Sequence, residues 1–232
     1  RRRNELGEAE ALYTEALADL EEGGFGTSPM SATILNNLAV VQWQRGAWSD
    51  AEPLYRESLS QRRRFYPEGH SEIGNTLLGL GTVLEKQGNH LDAEPYLQEA
   101  VQIFQQRYGS DDPSVANASA VLGRVLHSLE QYEAARDSYR RALDICRRSF
   151  GPDHPRSAEQ EIGLGLCELE LGNDDAAEEL LDRGYAVLSE RYGSGHRQTI
   201  RTMRGLRDLC EARGDQTQAA LWSKRIEQAE DS

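Results

Sequence analysis

Residues 71–104 read SEIGNTLLGLGTVLEKQGNHLDAEPYLQEAVQIF. Within this stretch Ile73, Leu77, Leu80 and Leu84 follow the period of a helix, and Gly88-Asn89 ends it. A second helix is predicted from near His90 to about Tyr108, with Ala93, Tyr96, Leu97, Ala100, Val101 and Phe104 on its apolar side. Working outward, the same phases return. Ala9, Ala51, Ala93, Ala135, Ala177 and Ala219 are 42 residues apart without a miss, as are Leu38, Leu80, Leu122, Leu164 and Leu206. Gly46, Gly88, Gly172 and Gly214 share a phase, with Glu130 at the one departure, and Tyr66, Tyr108, Phe150 and Tyr192 share another. One helix pair cannot bury its own apolar face, so repeated pairs must stack.

The repeat sets the expected organisation: one all-α domain over residues 1–232, an α-solenoid of antiparallel helix pairs. It divides into a half repeat at 1–28, full repeats at 29–70, 71–112, 113–154 and 155–196, and a C-terminal capping repeat at 197–232. Leu122 is expected in the core. Pro53 and Pro95 are expected in the first turn of their helices, where a missing N–H costs little. Ala51 and Ser58 lie seven apart on one helix face, where a neighbouring helix must come close. Residues 5–21 match a second helix whose first helix is absent. That open face is expected to dock another copy or another segment of the same protein.

The phase of Leu38-Ala39, Gly46, Ala51, Tyr55 and Ser58 resembles the tetratricopeptide repeat signature. The 42-residue spacing, Leu35-Asn36-Asn37-Leu38-Ala39, Ala51-Glu52-Pro53-Leu54-Tyr55 and Phe150-Gly151-Pro152-Asp153-His154-Pro155 resemble its kinesin-light-chain subtype. The resemblance implies a right-handed superhelix whose first helices line a concave groove that binds a protein or an extended peptide. On this chain the inward candidates are Thr33, Asn36, Asn37, Val40 and Trp43, then Asn75 and Thr82, then Asn117, Arg124 and His127, and finally Arg201 and Arg204. Leu78, Glu85, Glu159, Ile162, Leu166 and Asp208 share these inward phases. Amide side chains can pair with a peptide backbone, and arginines favour an acidic segment. The reading of Arg201 and Arg204 as partners of nearby carboxylates stays open, as does that of Asn36 and Asn37 as helix bridges. The alternative function is a regulatory array that controls an attached signalling domain, such as a protein kinase, or is gated by a small peptide.

Chemistry of other kinds finds little support. The net charge of −13 argues against phosphate-backbone binding and anionic lipid surfaces. No apolar run is long enough to span a bilayer. Gly79-Leu80-Gly81 and Gly163-Leu164-Gly165 lack the third glycine and the preceding strand of a dinucleotide fingerprint, so they read as small residues at helix crossings. His70, His154 and His196 stand one repeat apart, with Asp112 in the missing slot, and read as helix caps rather than metal ligands. Cys146, Cys167 and Cys210 form no CxxC pair, and Cys167 falls at a core phase. Arg62-Arg63-Arg64 and Arg147-Arg148 read as cations opposing helix dipoles at C-termini. No catalytic constellation and no cofactor site is expected. A start at Arg1-Arg2-Arg3 without Met reads as a fragment of a larger cytoplasmic protein.

Overall fold

Short polar punctuation decides where each helix begins. In the computed structural model, which describes the backbone of residues 2–231 and the side chains of 5–231, Ser28 caps one helix through its hydroxyl. The Nδ1 atoms of His70, His154 and His196 accept the backbone N–H two residues on, at 3.2, 3.1 and 3.3 Å. The Asp112 carboxylate does the same for Ser114 at 2.7 Å. Each of the three imidazoles also packs on the aromatic ring four residues earlier, Tyr66, Phe150 or Tyr192.

The described residues form eleven helices and no strand. They are α1 (Arg2–Glu22), α2 (Pro29–Arg45), α3 (Trp48–Phe65), α4 (Ser71–Gln87), α5 (His90–Tyr108), α6 (Pro113–Ser128), α7 (Tyr132–Phe150), α8 (Pro155–Glu170), α9 (Asp174–Tyr192), α10 (Arg197–Ala212) and α11 (Gln216–Glu230). The architecture is all-α, of the α-solenoid class built from consecutive helix pairs. Two compact units emerge, residues 1–121 and residues 122–232.

In the first unit α2 packs on α3, α3 on α4 and α4 on α5, while α1 lies against α2. The repeat phases are the buried ones: Ala51, Ala93, Leu77, Leu80 and Leu97 are fully covered. Ser58, also fully buried, donates to the Ala32 carbonyl at 2.7 Å, which lets α3 close on α2. Glycines open the other crossings. A Cβ on Gly79 would lie 2.6 Å from Cζ of Tyr55, and one on Gly81 would lie 2.5 Å from Cγ of Leu97. Pro53 and Pro95 sit deeper than the sequence implies. Their helices start at Trp48 and His90, so each proline is the sixth helical residue and falls in the second turn. Both are exposed, so water can satisfy the carbonyl each leaves without a donor.

The second unit repeats the scheme with α7 on α8, α8 on α9, α9 on α10 and α10 on α11. Ala158, Ile162, Leu181, Leu188 and Leu206 form one buried cluster, and Met203, Ile226 and Ala229 form another. Trp222 and Tyr185 pack against both clusters, edge to face. Leu122 is buried as expected. Glu161, buried at 2% exposure, receives Arg147 at 2.6 Å and Arg183 at 3.3 Å. Arg213 ties α9 to the end of α10 through Asp175 and Glu178. Glu130 adopts φ 59°, the left-handed turn that Gly46, Gly88, Gly172 and Gly214 make elsewhere.

Candidate functional site

Four phases of the first helices stay open while their neighbours are buried. Thr33, Trp43, Asn75 and Asn117 are exposed; Asn36, Asn37, Val40, Leu78, Thr82 and Glu85 are partly exposed. In the second unit Arg124, His127, Glu159, Leu166 and Arg201 are partly exposed and Arg204 and Asp208 exposed. Ala120 and Ile162 are the buried exceptions.

In the first unit the open residues differ in what they have left to offer. The hydroxyls of Thr33 and Thr82 donate back to their own helix, to the carbonyls of Pro29 and Leu78. Asn36 is anchored: its Oδ1 faces the Thr76 hydroxyl at 3.2 Å, which in turn accepts from Arg62 at 2.7 Å. This places the Asn36 carboxamide as a bridge between α2 and α4 and turns its nitrogen away from Thr76. Arg62 is only 2% exposed, also donates to the Glu72 carbonyl and pairs with the Glu72 carboxylate at 2.7 Å. Burial draws its pKa below the usual guanidinium value, opposed by the charge of Glu72. The reading of Arg62 as a surface cation at a helix end is therefore replaced by a buried brace. Periodicity carried a hint, because Phe104, Cys146 and Leu188 hold the same phase.

In the second unit two of the open residues, Arg124 and Arg201, lie within electrostatic reach of Tyr139, which the sequence reading passed over. Its ring lies between Gly123 on α6 and Gly163 on α8, with Cβ positions 3.1 Å from Cδ2 and 2.6 Å from Cζ respectively. Burial raises the phenol pKa, and the cations Arg201 and Arg124 oppose that rise. The Arg201 guanidinium leans toward the phenolic oxygen, but the hydroxyl makes no well-aligned hydrogen bond. His127 packs edge-on against Tyr132, its Nε2 buried without a partner; burial, then Arg201, lowers its pKa. Glu159 is raised by burial, against the pull of Arg124, His196, Arg156 and His154. Arg204 pairs with Glu230 at 2.6 Å, so a carboxylate of the chain already engages that arginine.

The remaining motifs have structural roles. Gly79, Gly81, Gly163 and Gly165 all lie inside α4 and α8 against side chains of neighbouring helices. Burial pushes the Cys167 thiol up to about 12 and also raises Cys146 and Cys210, away from the range of a nucleophilic thiolate. Among the described residues no group of three His, Cys, Asp or Glu side chains is placed to hold a metal ion.

A family model described as tetratricopeptide repeat matches residues 1–64, 72–148, 122–190 and 161–229. Among solved structures, BtubC (BKLC) from P. vanneervenii is similar over 99% of this chain and 91% of its own, at 19% identity and TM-score 0.75. A Podosopora anserina putative kinesin light chain with nearly identical TPR-like repeats covers 88% of this chain and 96% of its own, at 18% identity and TM-score 0.70. YrrB, a TPR protein with an unusual peptide-binding site, covers 95% and 93%, at 17% identity and TM-score 0.57. No curated protein matches the chain.

Proposed function

Because the chain belongs to the tetratricopeptide repeat family, we propose that it is a non-catalytic module that binds an extended peptide or protein segment along its first helices. One observation carries this reading: apart from Ala120 and Ile162, the first-helix phases stay at least partly open through consecutive repeats and hold many polar side chains, although the positions beside them are packed shut. In the first unit these phases present amides and an aromatic, Asn36, Asn75, Asn117 and Trp43; in the second they present Arg124, Arg201 and Arg204. Amides pair with backbone groups whatever the sequence, and a large aromatic can anchor a side chain. Arginines in a chain of net charge −13 select an acidic segment against a repelling background. YrrB supports the peptide reading by its fold and by the peptide-binding site it is described with.

The same reading makes this a cytoplasmic module with no call on nucleic acid or membrane. Among the described residues no helix is long and apolar enough to cross a membrane. Leu12, Phe25 and Met30 are each more than 60% exposed near the N-terminal end, which supports a further contact there with another copy or segment.

The test is a selection of displayed random twelve-residue peptides on the whole chain, followed by titration of the enriched peptides. Enriched peptides should carry clustered Asp or Glu. Asn36→Ala with Asn75→Ala should weaken them at least tenfold, and charge reversal at Arg201 and Arg204 should weaken the acidic ones selectively. Enrichment of peptides indifferent to all four substitutions would remove the first-helix faces from consideration.

A further inference from the structure

By phase α1 is a second helix, yet no helix stands before it among the described residues. Ala9, Leu12, Ala16 and Asp19 hold the phases of Ala51, Leu54, Ser58 and Gln61 on α3. At these phases the complete repeats meet the first helix of their own pair. Ser58 donates to the Ala32 carbonyl of α2, and Gly184, which shares the phase of Ala16, lies against Ile162 and the Ala158 carbonyl of α8. Ala51, Ala93 and Ala135 are fully buried there, as are Ser58, Ala100 and Ala142. On α1 the same phases are open. Ala9 and Ala16 are partly exposed, and Leu12 is 65% exposed where Leu54 and Leu180 are partly covered. The side of α1 that α2 covers is a different one, where Glu10 reaches Gln42 and Arg45.

The complete repeats also specify the shape and direction of what fits this face. Gln61 is 3% exposed and grips the start of α2: its Oε1 accepts the Ser28 N–H at 3.3 Å, and its Nε2 donates to the Gly26 carbonyl at 3.2 Å. Ser28 is the N-cap of α2. A helix laid on α1 as α2 lies on α3 therefore runs antiparallel to α1 and brings its N-terminal turn to Asp19. There the carboxylate can accept backbone N–H groups that every helix start leaves without partners, and its charge favours the positive end of the helix dipole. Ala9 and Ala16 admit the close approach that Ala51 and Ser58 admit in the next repeat.

Charge narrows the occupant further. From Glu5 to Glu22, α1 carries seven carboxylates and no Lys or Arg. Glu8, Leu12, Glu15 and Asp19 are all exposed and are spaced by four, three and four residues, so three carboxylates border the apolar strip. A second copy of the chain would bring a net charge of −13, and pairing two α1 helices would set these carboxylates against one another. A helix with Lys or Arg beside its apolar face meets attraction instead.

We infer that the open face of α1 docks a basic amphipathic helix of a partner protein. Its Leu and Ala face covers Ala9, Leu12 and Ala16, its cations meet Glu8 and Glu15, and its N-terminal turn abuts Asp19, which is recognition of a helix by an apolar surface. The inference rests on the contact proposed for the N-terminal end and gives that contact its chemistry; the peptide reading of the first helices does not enter it.

Two synthetic eighteen-residue helical peptides with the same Leu and Ala face test this on the whole chain, one carrying Lys at the flanking positions and the other Glu. By isothermal titration the Lys peptide should bind saturably and more weakly at high salt, and the Glu peptide at least tenfold more weakly than the Lys peptide. Glu8→Lys with Glu15→Lys should reverse that preference. Leu12→Glu and Ala16→Trp should each weaken the Lys peptide at least tenfold, and Leu12→Glu should keep the parent Tm because the side chain is already in water. In NMR spectra a spin label on the peptide's N-terminus should broaden signals around Asp19, and one on its C-terminus signals around Glu8. A Lys peptide that binds regardless of Leu12 and Ala16, or no better than the Glu peptide, overturns the inference, as does the opposite order of the two labels. Sedimentation separates the failures. A chain that binds neither peptide but forms a dimer lost in Leu12→Glu overturns the basic helix and keeps the N-terminal contact, with a second copy as its occupant. A monomer that binds neither peptide overturns both.

Discussion

Tyr139 and Gly163 are fitted to each other: the ring of one lies where the side chain of any other residue would begin. Tyr55 and Gly79 repeat the arrangement 84 residues earlier, whereas the intervening phase pairs Leu97 with Val121. An alanine in mid-helix normally gains about 0.5–1 kcal/mol over glycine. At Gly163 the new methyl would collide with a ring that Gly123 already confines from the other side, and overpacking costs roughly 1–3 kcal/mol. The collision wins, so Gly163→Ala should lower stability, by denaturant titration, and Tyr139→Leu in the same chain should recover much of the loss. A Gly163→Ala chain more stable than its parent would mean that the ring does not occupy this slot.

Glu130 is a local misfit with a simple remedy. Its φ of 59° is the only positive value among described non-glycine residues, at the turn between α6 and α7. A left-handed L-residue costs roughly 1–2 kcal/mol, part of which glycine returns through the greater freedom of the unfolded chain. Glu130→Gly should therefore stabilise by about 0.5–1 kcal/mol, and Gly88→Ala, at φ 81°, should destabilise. Unchanged or lower stability for Glu130→Gly contradicts the strain assigned here.

Much of this was legible because periodicity is a physical constraint. A residue repeated every 42 positions meets the same neighbours, so the Ala51 and Leu80 phases had to be core and the Gly46 phase had to be a turn. The histidine caps followed from their place before each first helix. What a long side chain reaches does not follow from phase. Arg62 looked like a solvated helix end, yet its length carries the guanidinium to the Glu72 carbonyl and Thr76. Arg201 and Arg204 share one stripe of α10, but one leans toward Tyr139 and the other pairs with Glu230. The depth of Pro53 and Pro95 escaped because the helices start earlier than the prolines suggest.

Arg62 should be dispensable for folding despite its burial. Its hydrogen bonds are set against the cost of desolvating a guanidinium, and such balances are often neutral or unfavourable against an apolar residue of similar volume. Glu72 is 38% exposed and can turn to water when its partner goes. Arg62→Met should leave stability within about 1 kcal/mol or raise it. Arg62→Ala, which leaves a cavity, should cost roughly 2–4 kcal/mol. Equal large losses from both would make the charge itself indispensable to the fold.

The cysteines offer a probe of opening. Cys167 is fully buried, with its thiol pushed up to about 12, while Cys210 is partly exposed and raised less far. Under native conditions iodoacetamide should modify Cys210 first, and Cys167 should react only as the second unit unfolds, as read by mass spectrometry of tryptic peptides. Modification of Cys167 ahead of Cys210 would refute the packing of α8.

Glu159 should make the second unit less stable as pH rises. Burial raises its carboxyl pKa above the ordinary 4.5, although Arg124, His196, Arg156 and His154 pull the other way. A raised carboxyl pKa means that the folded chain binds this proton more tightly than the unfolded chain does. Below pH about 4.5 both states hold the proton and the group costs nothing. As pH climbs through the folded pKa, ionisation in the fold becomes a penalty, which then stays constant. Glu159→Gln removes it. Melting curves of the parent and Glu159→Gln chains should nearly coincide around pH 4 and separate towards pH 7, with the variant higher. A Glu159→Gln chain that melts lower at neutral pH would show that the surrounding cations outweigh desolvation.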